Sequence, residues 1–489
     1  MPVRDVVVDK IGGGVLRDSV GYQRAAEYQI RLFEERYSPV AFVSAMHGVT
    51  DMLVGAEEPI EPGPESIKKL RNELEGLYFP ILEKNLGSEN SARARRELIE
   101  DIDDLCYLLG RRDEGDKWRI HAKGERHSAI MMKYHIREGG YDALWLDGYD
   151  TIIATPVGAK QAGAIKQETY YRSIPGKVMK HLNPRLMRIP IICGFGAREA
   201  GTGNFITLGR NSSDYSGAAG AKALRAVRYE IIKEEPTVFR VDPKLLRNKH
   251  VYGPRVSKET IERFRLDKLS YSEGVELTSK GAKVVHPMAL DLCEVSEIPI
   301  MVKNLDDGGG HTLIGKDSVT NQESPVAAMH AAVLPILTVE DRRMSTPEGR
   351  GYESLISEII AENEIDVHNM TDSSTTVSHI ISKEENNGFP VDEIMGGMLR
   401  DSGHLPSKVI RDNIGYICIV GDGMKKRPGT TADITGLLKR MNISLRTVGH
   451  CDEHADVPAL NIGVSKDDFY KAVKGFCDEG IFFKDFWKG

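Results

Sequence analysis

Several short stretches of the chain gather residues suited to handling anions and amines. Lys10-Ile11-Gly12-Gly13-Gly14 sets a lysine beside three glycines. A lysine there can reach phosphate oxygens, while Gly12 and Gly13 let backbone N–H groups approach an anion closely. The spacing of a P-loop is absent. In Ser44-Ala45-Met46-His47-Gly48-Val49-Thr50-Asp51, the hydroxyls of Ser44 and Thr50 stand where a small polar ligand would meet a helix start. Capping of that helix by Thr50 or Asp51 is the other reading. Gly124-Glu125-Arg126-His127-Ser128 opens an amphipathic stretch, and Glu125 suits an ammonium group. An acidic first turn is also favoured by the helix dipole alone. The densest polar cluster is Gly209-Arg210-Asn211-Ser212-Ser213-Asp214. The Arg210 fork fits a carboxylate, Ser213 offers a short hydrogen bond, and Asp214 can orient lysines around a phosphoryl group. Lys283, within Gly281-Ala282-Lys283-Val284-Val285-His286-Pro287, is a second lysine for a phosphate, or else a charge at a helix C-terminus.

Such residues need elements that bring distant segments together. Short β-branched runs at 6–8, 39–44, 143–146, 189–193, 227–232 and 298–303 alternate with helical spacing, as in Ala25, Ala26, Tyr28, Leu32 and Phe33. That alternation predicts an α/β domain with a mostly parallel sheet flanked by helices. Its ligand crevice should lie at the carboxyl ends of the strands. Residues 56–120 are charged with a helical period, and Leu98, Ile102, Leu105 and Leu109 share one face. They predict a helical insertion packed on the side of the sheet. Beyond about residue 325 a β-loop-α-β unit occurs twice. The first has a strand at 333–339 and a helix at 352–362; the second has a strand at 416–420 and a helix at 431–441. The linear division is therefore 1–322 for the α/β domain, then two α+β modules at 323–408 and 409–489.

Composition narrows the class. Lys+Arg 65 against Asp+Glu 72 leaves a net charge of -7, without the basic excess of a nucleic-acid partner. A hydrophobic content of 40% with 7% aromatics fits a soluble α/β protein. The six cysteines form no CxxC pair, which argues against a disulfide framework or a structural zinc and for a reduced, cytoplasmic setting. No apolar run is long enough to span a membrane. His450-Cys451-Asp452-Glu453-His454 packs ligand-type residues together but has no partner cluster nearby, so a surface loop is expected and no metal site is assigned.

In their order along the chain, these segments resemble the aspartate kinases of the amino-acid kinase family. Residues 10–13 are similar to the family's KFGG, 43–51 to VSAMxGVTD, 124–128 to GERLS and 208–216 to LGRGGSDYS. Ser270-Tyr271-Ser272-Glu273 with 281–287 resembles SYxEA…GAKVLHP. The two C-terminal modules resemble paired ACT regulatory domains. The resemblance implies ATP-dependent phosphorylation of the L-aspartate β-carboxylate, with Mg²⁺, as the first step toward lysine, threonine and methionine. It implies that Lys10 and Lys283 face the ATP phosphates and that Asp214 organises the centre. It places Arg210 on the side-chain carboxylate of aspartate and Glu125 on its ammonium, with Ser44, Thr50, Phe195 and Ser213 lining the pocket. Gly12, Gly13, Lys233, Glu234, Phe239 and Lys244 would contact the nucleotide. Lysine or threonine would be the effector, bound near Met344, Gly351, Tyr352, Val367 and Asn369, in a homodimer or dimer of dimers formed through the ACT modules.

The chain departs from the family pattern at several points. Gly14 stands where the family has Thr, His127 where it has Leu, and Asn211 and Ser212 where it has Gly. Lys233-Glu234 replaces a Thr-Asp pair in the nucleotide stretch. Two other functions stay open at this stage. One is a kinase for another amino acid or small carboxylate; the other is a catalytically weak amino-acid sensor.

Overall fold

The computed structural model describes residues 4–57, 63–111, 113–154, 178–182, 188–208, 212–235, 237–282, 284–306, 310–320, 324–346, 352–362, 365, 367–373, 375–381, 391–401, 406, 408–450 and 457–488. The chain forms two compact units, one of residues 1–238 and 285–316, the other of 239–284 and 317–489. The linear boundary at 322 is thus crossed: 239–284 pack with the C-terminal part. The reason is apolar, since Val241, Leu246, Val251, Ile261 and Phe264 are buried in one cluster with Ile417, Ile434 and Phe469.

The first unit is built on strands β1 (Val6–Ile11), β2 (Ser38–Val43), β3 (Asp142–Leu146), β4 (Arg188–Cys193), β5 (Arg228–Ile232), β6 (Ile300–Lys303) and β7 (His311–Gly315). They lie in the order β7-β6-β5-β1-β2-β4-β3. All neighbours are parallel except β6 and β7. The near-continuous apolar runs of β1 and β2 follow from burial on both faces, as in parallel sheets covered by helices. β1 is longer than the run at 6–8 suggests. Backbone pairing to β2 and β5 carries it through Ile11, so Lys10 is the penultimate residue of the strand.

The helical insertion is present as Pro64–Asn85 and Ser88–Arg111. Leu98, Ile102, Leu105 and Leu109 are all buried, in one core with Tyr78 and with Ile130 and Met131 of the helix Lys123–Glu138.

The second unit carries a six-stranded antiparallel sheet. Its strands are β8 (Ala328–Glu340), β9 (Val367–Ser373), β10 (Thr376–Ile381), β11 (Lys408–Val420), β12 (Leu445–His450) and β13 (Ala459–Ser465), in the order β9-β10-β8-β11-β13-β12. β8 and β11 pair along their whole length, from Ala328 opposite Val420 to Glu340 opposite Lys408. Each long strand serves both modules. Leu337 and Val339 of β8 join the core of the helix Tyr352–Glu362, while Met329 and Ala331 join that of the helices Thr430–Arg440 and Phe469–Glu479. The expected cut at 408/409 therefore falls at the start of a shared strand, and the second module begins with residues that precede the first. Each module has the β-α-β-β-α-β content of an ACT fold.

Candidate active site

The parallel order puts the carboxyl ends of β1, β2, β4 and β5 at one edge. Ile11 is level with Val43 and Ile232, and Val43 with Cys193. The segments leaving these ends make the site. After β1 the chain turns through Gly12-Gly13-Gly14 against the turn after β2, and a Cβ on Gly13 would run into the Ala45 carbonyl oxygen. That close approach explains a glycine with an ordinary φ. After β4, Gly194 donates its N–H to the Val43 carbonyl at 3.1 Å. Phe195 follows at φ 68°, a left-handed conformation uncommon outside glycine and often held at functional sites. Its N–H is bonded to Ser216 Oγ at 3.3 Å.

Two helices deliver the remaining groups. The helix Ser213–Ala223 starts at this edge, so Ser213 and Asp214 are buried beside the strand ends. Asp214 Oδ1 lies 2.8 Å from Lys10 Nζ. Its Oδ2 accepts from the His286 backbone N–H at 3.4 Å, and the His286 ring stacks on Tyr215. Burial would raise the Asp214 carboxyl, but the charges of Lys10 and Lys233, the Lys10 hydrogen bond and that backbone donor hold it down to about 2. Lys233, just beyond β5, has its amine lowered by burial against the opposing pull of Asp214. Glu125 opens the other helix, Lys123–Glu138, and is 5% exposed. Burial pushes its carboxyl up to about 8, although its own backbone N–H, that of Ala45 and the Lys10 charge all favour the ionised form. Among the described residues its Oε2 has no hydrogen-bond partner. The site thus has a cationic pole at Lys10 and Lys233 and an open acidic one at Glu125.

The structure brings together Lys10, Gly12, Gly13, Ser44, Glu125, Phe195, Ser213, Asp214 and Lys233 at one sheet edge. Thr50 is exposed at the start of the helix Val49–Glu57. Glu234 pairs with Arg17 and folds over Gly14, leaving the role of a nucleotide contact without support from its placement. The stretch 232–244 does not stay in one unit. Phe239 packs into the core of the second unit, and exposed Lys244 lies in the short helix Pro243–Leu246 there. Arg210, Asn211 and Lys283 lie outside the described residues. Among the effector residues, Met344 is half-buried and Tyr352 is buried with its hydroxyl bonded to Asp341 at 2.7 Å. Val367 and Asn369 are on β9; Gly351 and the Asn369 side chain lie outside the described residues, as do 451–456 of the His-rich loop.

Sequence reasoning missed Asp101, Tyr78 and the buried face of His127. His127 Nδ1 is 3.2 Å from the Tyr78 hydroxyl, and Asp101 reaches Lys123 and Arg126. The signal was an acid on the apolar stripe that runs Leu98, Ile102, Leu105.

Lysines and a buried carboxylate gathered at the carboxyl ends of a parallel sheet suit a charged small-molecule ligand. Residues 5–304 match the Amino acid kinase family, and the chain belongs to that family. The chain is 26% identical over 453 residues to lysine-sensitive aspartokinase 3 of Escherichia coli K12, covering 91% of this chain and 93% of that protein. It matches the structure of E. coli aspartokinase III in complex with aspartate and ADP with a TM-score of 0.74 at 23% identity, over 97% of this chain and 100% of that one. It also matches a bifunctional aspartokinase/homoserine dehydrogenase of Daucus carota at 24% identity, spanning 96% of this chain and half of that protein's length. Among the described residues no helix is long and apolar enough to cross a membrane.

Proposed function

We propose that this chain is an aspartate kinase that transfers the γ-phosphoryl group of ATP to the β-carboxylate of L-aspartate. The observation that carries the reading is the pairing of two opposite poles at one strand edge: Lys10 held by Asp214 at 2.8 Å, and the Glu125 carboxylate, whose Oε2 has no hydrogen-bond partner among the described residues. An amino-acid acceptor needs an anion for its ammonium. A nucleotide needs cations and backbone donors for its phosphates, here Lys10, Lys233 and the Gly12-Gly13 turn. Arg210 would take the β-carboxylate, with Ser44, Thr50, Phe195 and Ser213 around the carbon chain, and Lys283 would join Lys10 at the phosphates.

The β-carboxylate oxygen attacks the γ-phosphorus in line, and the bond from phosphorus to the bridging oxygen of ADP breaks. The products are an acyl phosphate and ADP. The acceptor is already ionised at neutral pH, so no general base is required. Catalysis is then positioning and charge neutralisation. Asp214 fixes the Lys10 ammonium in one direction, which saves reorganisation as charge shifts toward the leaving phosphate. The donor set fits a Mg²⁺ held mainly by nucleotide phosphates with Asp214 at hand, since Mg²⁺ in such sites takes one or two carboxylates plus phosphate oxygens and water. It would supply neutralisation of the phosphate charge.

Regulation by lysine or threonine through the paired ACT modules, and a dimer built through them in the cytoplasm, belong to the same proposal. ADP release by the full chain with ATP and Mg²⁺ tests it. Turnover is expected with aspartate, poor turnover with glutamate and none without acceptor. Equal kcat/KM for the two acids would favour the broader carboxylate kinase, and no turnover would favour a sensor. An unchanged rate with millimolar lysine or threonine would remove the feedback reading.

A further inference from the structure

The turn that carries Glu125 runs against the usual electrostatics of a helix start. The positive end of the helix dipole lies there, and basic side chains in a first turn are unfavourable. Yet Lys123 and Arg126 flank Glu125, His127 follows, and the N-cap residue Ala122 offers no side-chain acceptor. A carboxylate from another helix offsets this. Asp101 Oδ1, from Ser88–Arg111, is 2.8 Å from Lys123 Nζ and 2.8 Å from an Arg126 guanidinium nitrogen. Asp101 Oδ2 lies 3.2 Å from His127 Nε2, off the line of a good hydrogen bond. Lys123 is 1% exposed, and Asp104 holds it as well at 2.6 Å.

We propose that Asp101 is a positioning residue of the substrate site: it neutralises the cations of the Lys123–His127 turn and so leaves the Glu125 carboxylate to the substrate ammonium. The proposal rests on the reading of Glu125 as the ammonium site. The two acids divide the work by direction. Asp101 faces the turn's own cations, while Glu125 faces the sheet edge, where the backbone of Ala45 and the charge of Lys10 act on it. Without Asp101, buried Lys123 would keep only Asp104, at 2.6 Å, and half-buried Arg126 only the more distant Asp147, at 3.6 Å, so the turn that holds Glu125 would become more positive by one charge. Its field would oppose an incoming ammonium and let Glu125 ionise at a lower pH. A helical stripe of leucine and isoleucine has no packing reason to carry an acid, and this one sits where three basic groups of a substrate-binding turn converge.

The charged groups around the pair set the sign of the test. Glu125 faces Lys10 on β1, Tyr78 on the helix Pro64–Asn85 and Cys193 on β4. Asp101 faces Lys123, Arg126 and His127, with Asp104 and Asp147 nearby. Binding an ammonium requires ionised Glu125, so kcat/KM for aspartate should rise as pH passes through about 8.

Steady-state kinetics of the full chain test the assignment. Asp101→Asn should raise the aspartate KM by about 10- to 100-fold, the range of a lost charged interaction, with the ATP KM within about twofold. The acid limb of kcat/KM should move to lower pH, which simple loosening of the fold would not cause. Lys123→Met, the converse variant, leaves Asp101 with less positive charge to balance, so its limb should move to higher pH. It carries the test if Asp101→Asn fails to fold. Glu125→Gln separates the two claims. If it leaves the aspartate KM unchanged, the ammonium reading falls and this proposal with it. If it raises the KM while folded Asp101→Asn does not, or if the limb stays put in Lys123→Met, Asp101 is structural only and the proposal alone is overturned.

Discussion

Two buried glutamates, one in each unit, occupy the same place in their helices and have opposite surroundings. Glu273 is the third residue of Tyr271–Ser279 and Glu125 the third of Lys123–Glu138. They are 0% and 5% exposed. Glu273 is saturated: it accepts from the Ser270 N–H at 3.0 Å in a capping box, from the Asp422 N–H at 3.0 Å, from Thr320 Oγ1 at 2.9 Å and from Ser318 Oγ. Glu125 keeps an oxygen with no partner among the described residues. Both burials remove water from a carboxylate, but only the first returns hydrogen bonds to both oxygens; Glu125 is left with backbone donors alone. An acid that a fold desolvates and leaves open is costly to keep, and it is suited to a charge arriving from outside.

The predictions test that contrast, starting from the site's other pole. Lys10→Ala should lower kcat by about two to three orders of magnitude, as for loss of a preorganised charge beside a developing transition state, in a protein that still folds but is less stable because buried Asp214 loses its ion-pair partner. Near-normal kcat in the folded variant would detach the Lys10–Asp214 pair from catalysis.

The glutamates should then respond in opposite ways. Glu125→Gln should raise the aspartate KM by about 10- to 150-fold and leave stability equal or higher, since the amide keeps an acceptor oxygen for the backbone donors and buries no charge. Glu273→Ala should cost roughly 2–4 kcal/mol in urea unfolding by orphaning buried donors, with the aspartate KM of the folded protein unchanged. Matching losses of stability in both variants would end the comparison.

The smallest effect is on stability against pH. The folded value of Glu125, about 8, lies above its ordinary 4.5. Between these the folded chain binds more protons than the unfolded one, so this group's contribution falls as pH rises from about 4.5 to about 8. Asp214 has the other sign. Its contribution is present above 3.8 and is lost as pH falls through about 2. Urea midpoints of wild type and Glu125→Gln across neutral pH check the first statement: the variant's curve should be the flatter. Parallel curves would show that Glu125 titrates as it does in the unfolded chain.

Much of this site was legible before any coordinates. The glycines after β1, the Gly124–Ser128 motif and the Ser213-Asp214 pair each lie where their types and spacing put them. Phe195 came only from family resemblance, because a left-handed φ is a property of the backbone path and leaves no mark on a phenylalanine in the sequence. Asp101 was hidden because an exposed acid and a buried, ion-paired one look alike in a charged helical segment. The shared strands β8 and β11 were read as short runs within separate modules. The halves of each face different cores, and periodicity along one strand cannot say which helices cover it.

The sequence by itself determined the element types, the order of the motifs and the bounds of some helices, such as 352–362 and 431–441, found as Tyr352–Glu362 and Thr430–Arg440. These depend on neighbours a few residues away, where chain connectivity fixes the geometry. Only the tertiary structure decided which acids are satisfied, which module owns which half of β8, and that 239–284 pack with the C-terminal unit. Desolvation and pairing are set by segments far apart in the chain, and a residue type alone does not record whether its partner has arrived.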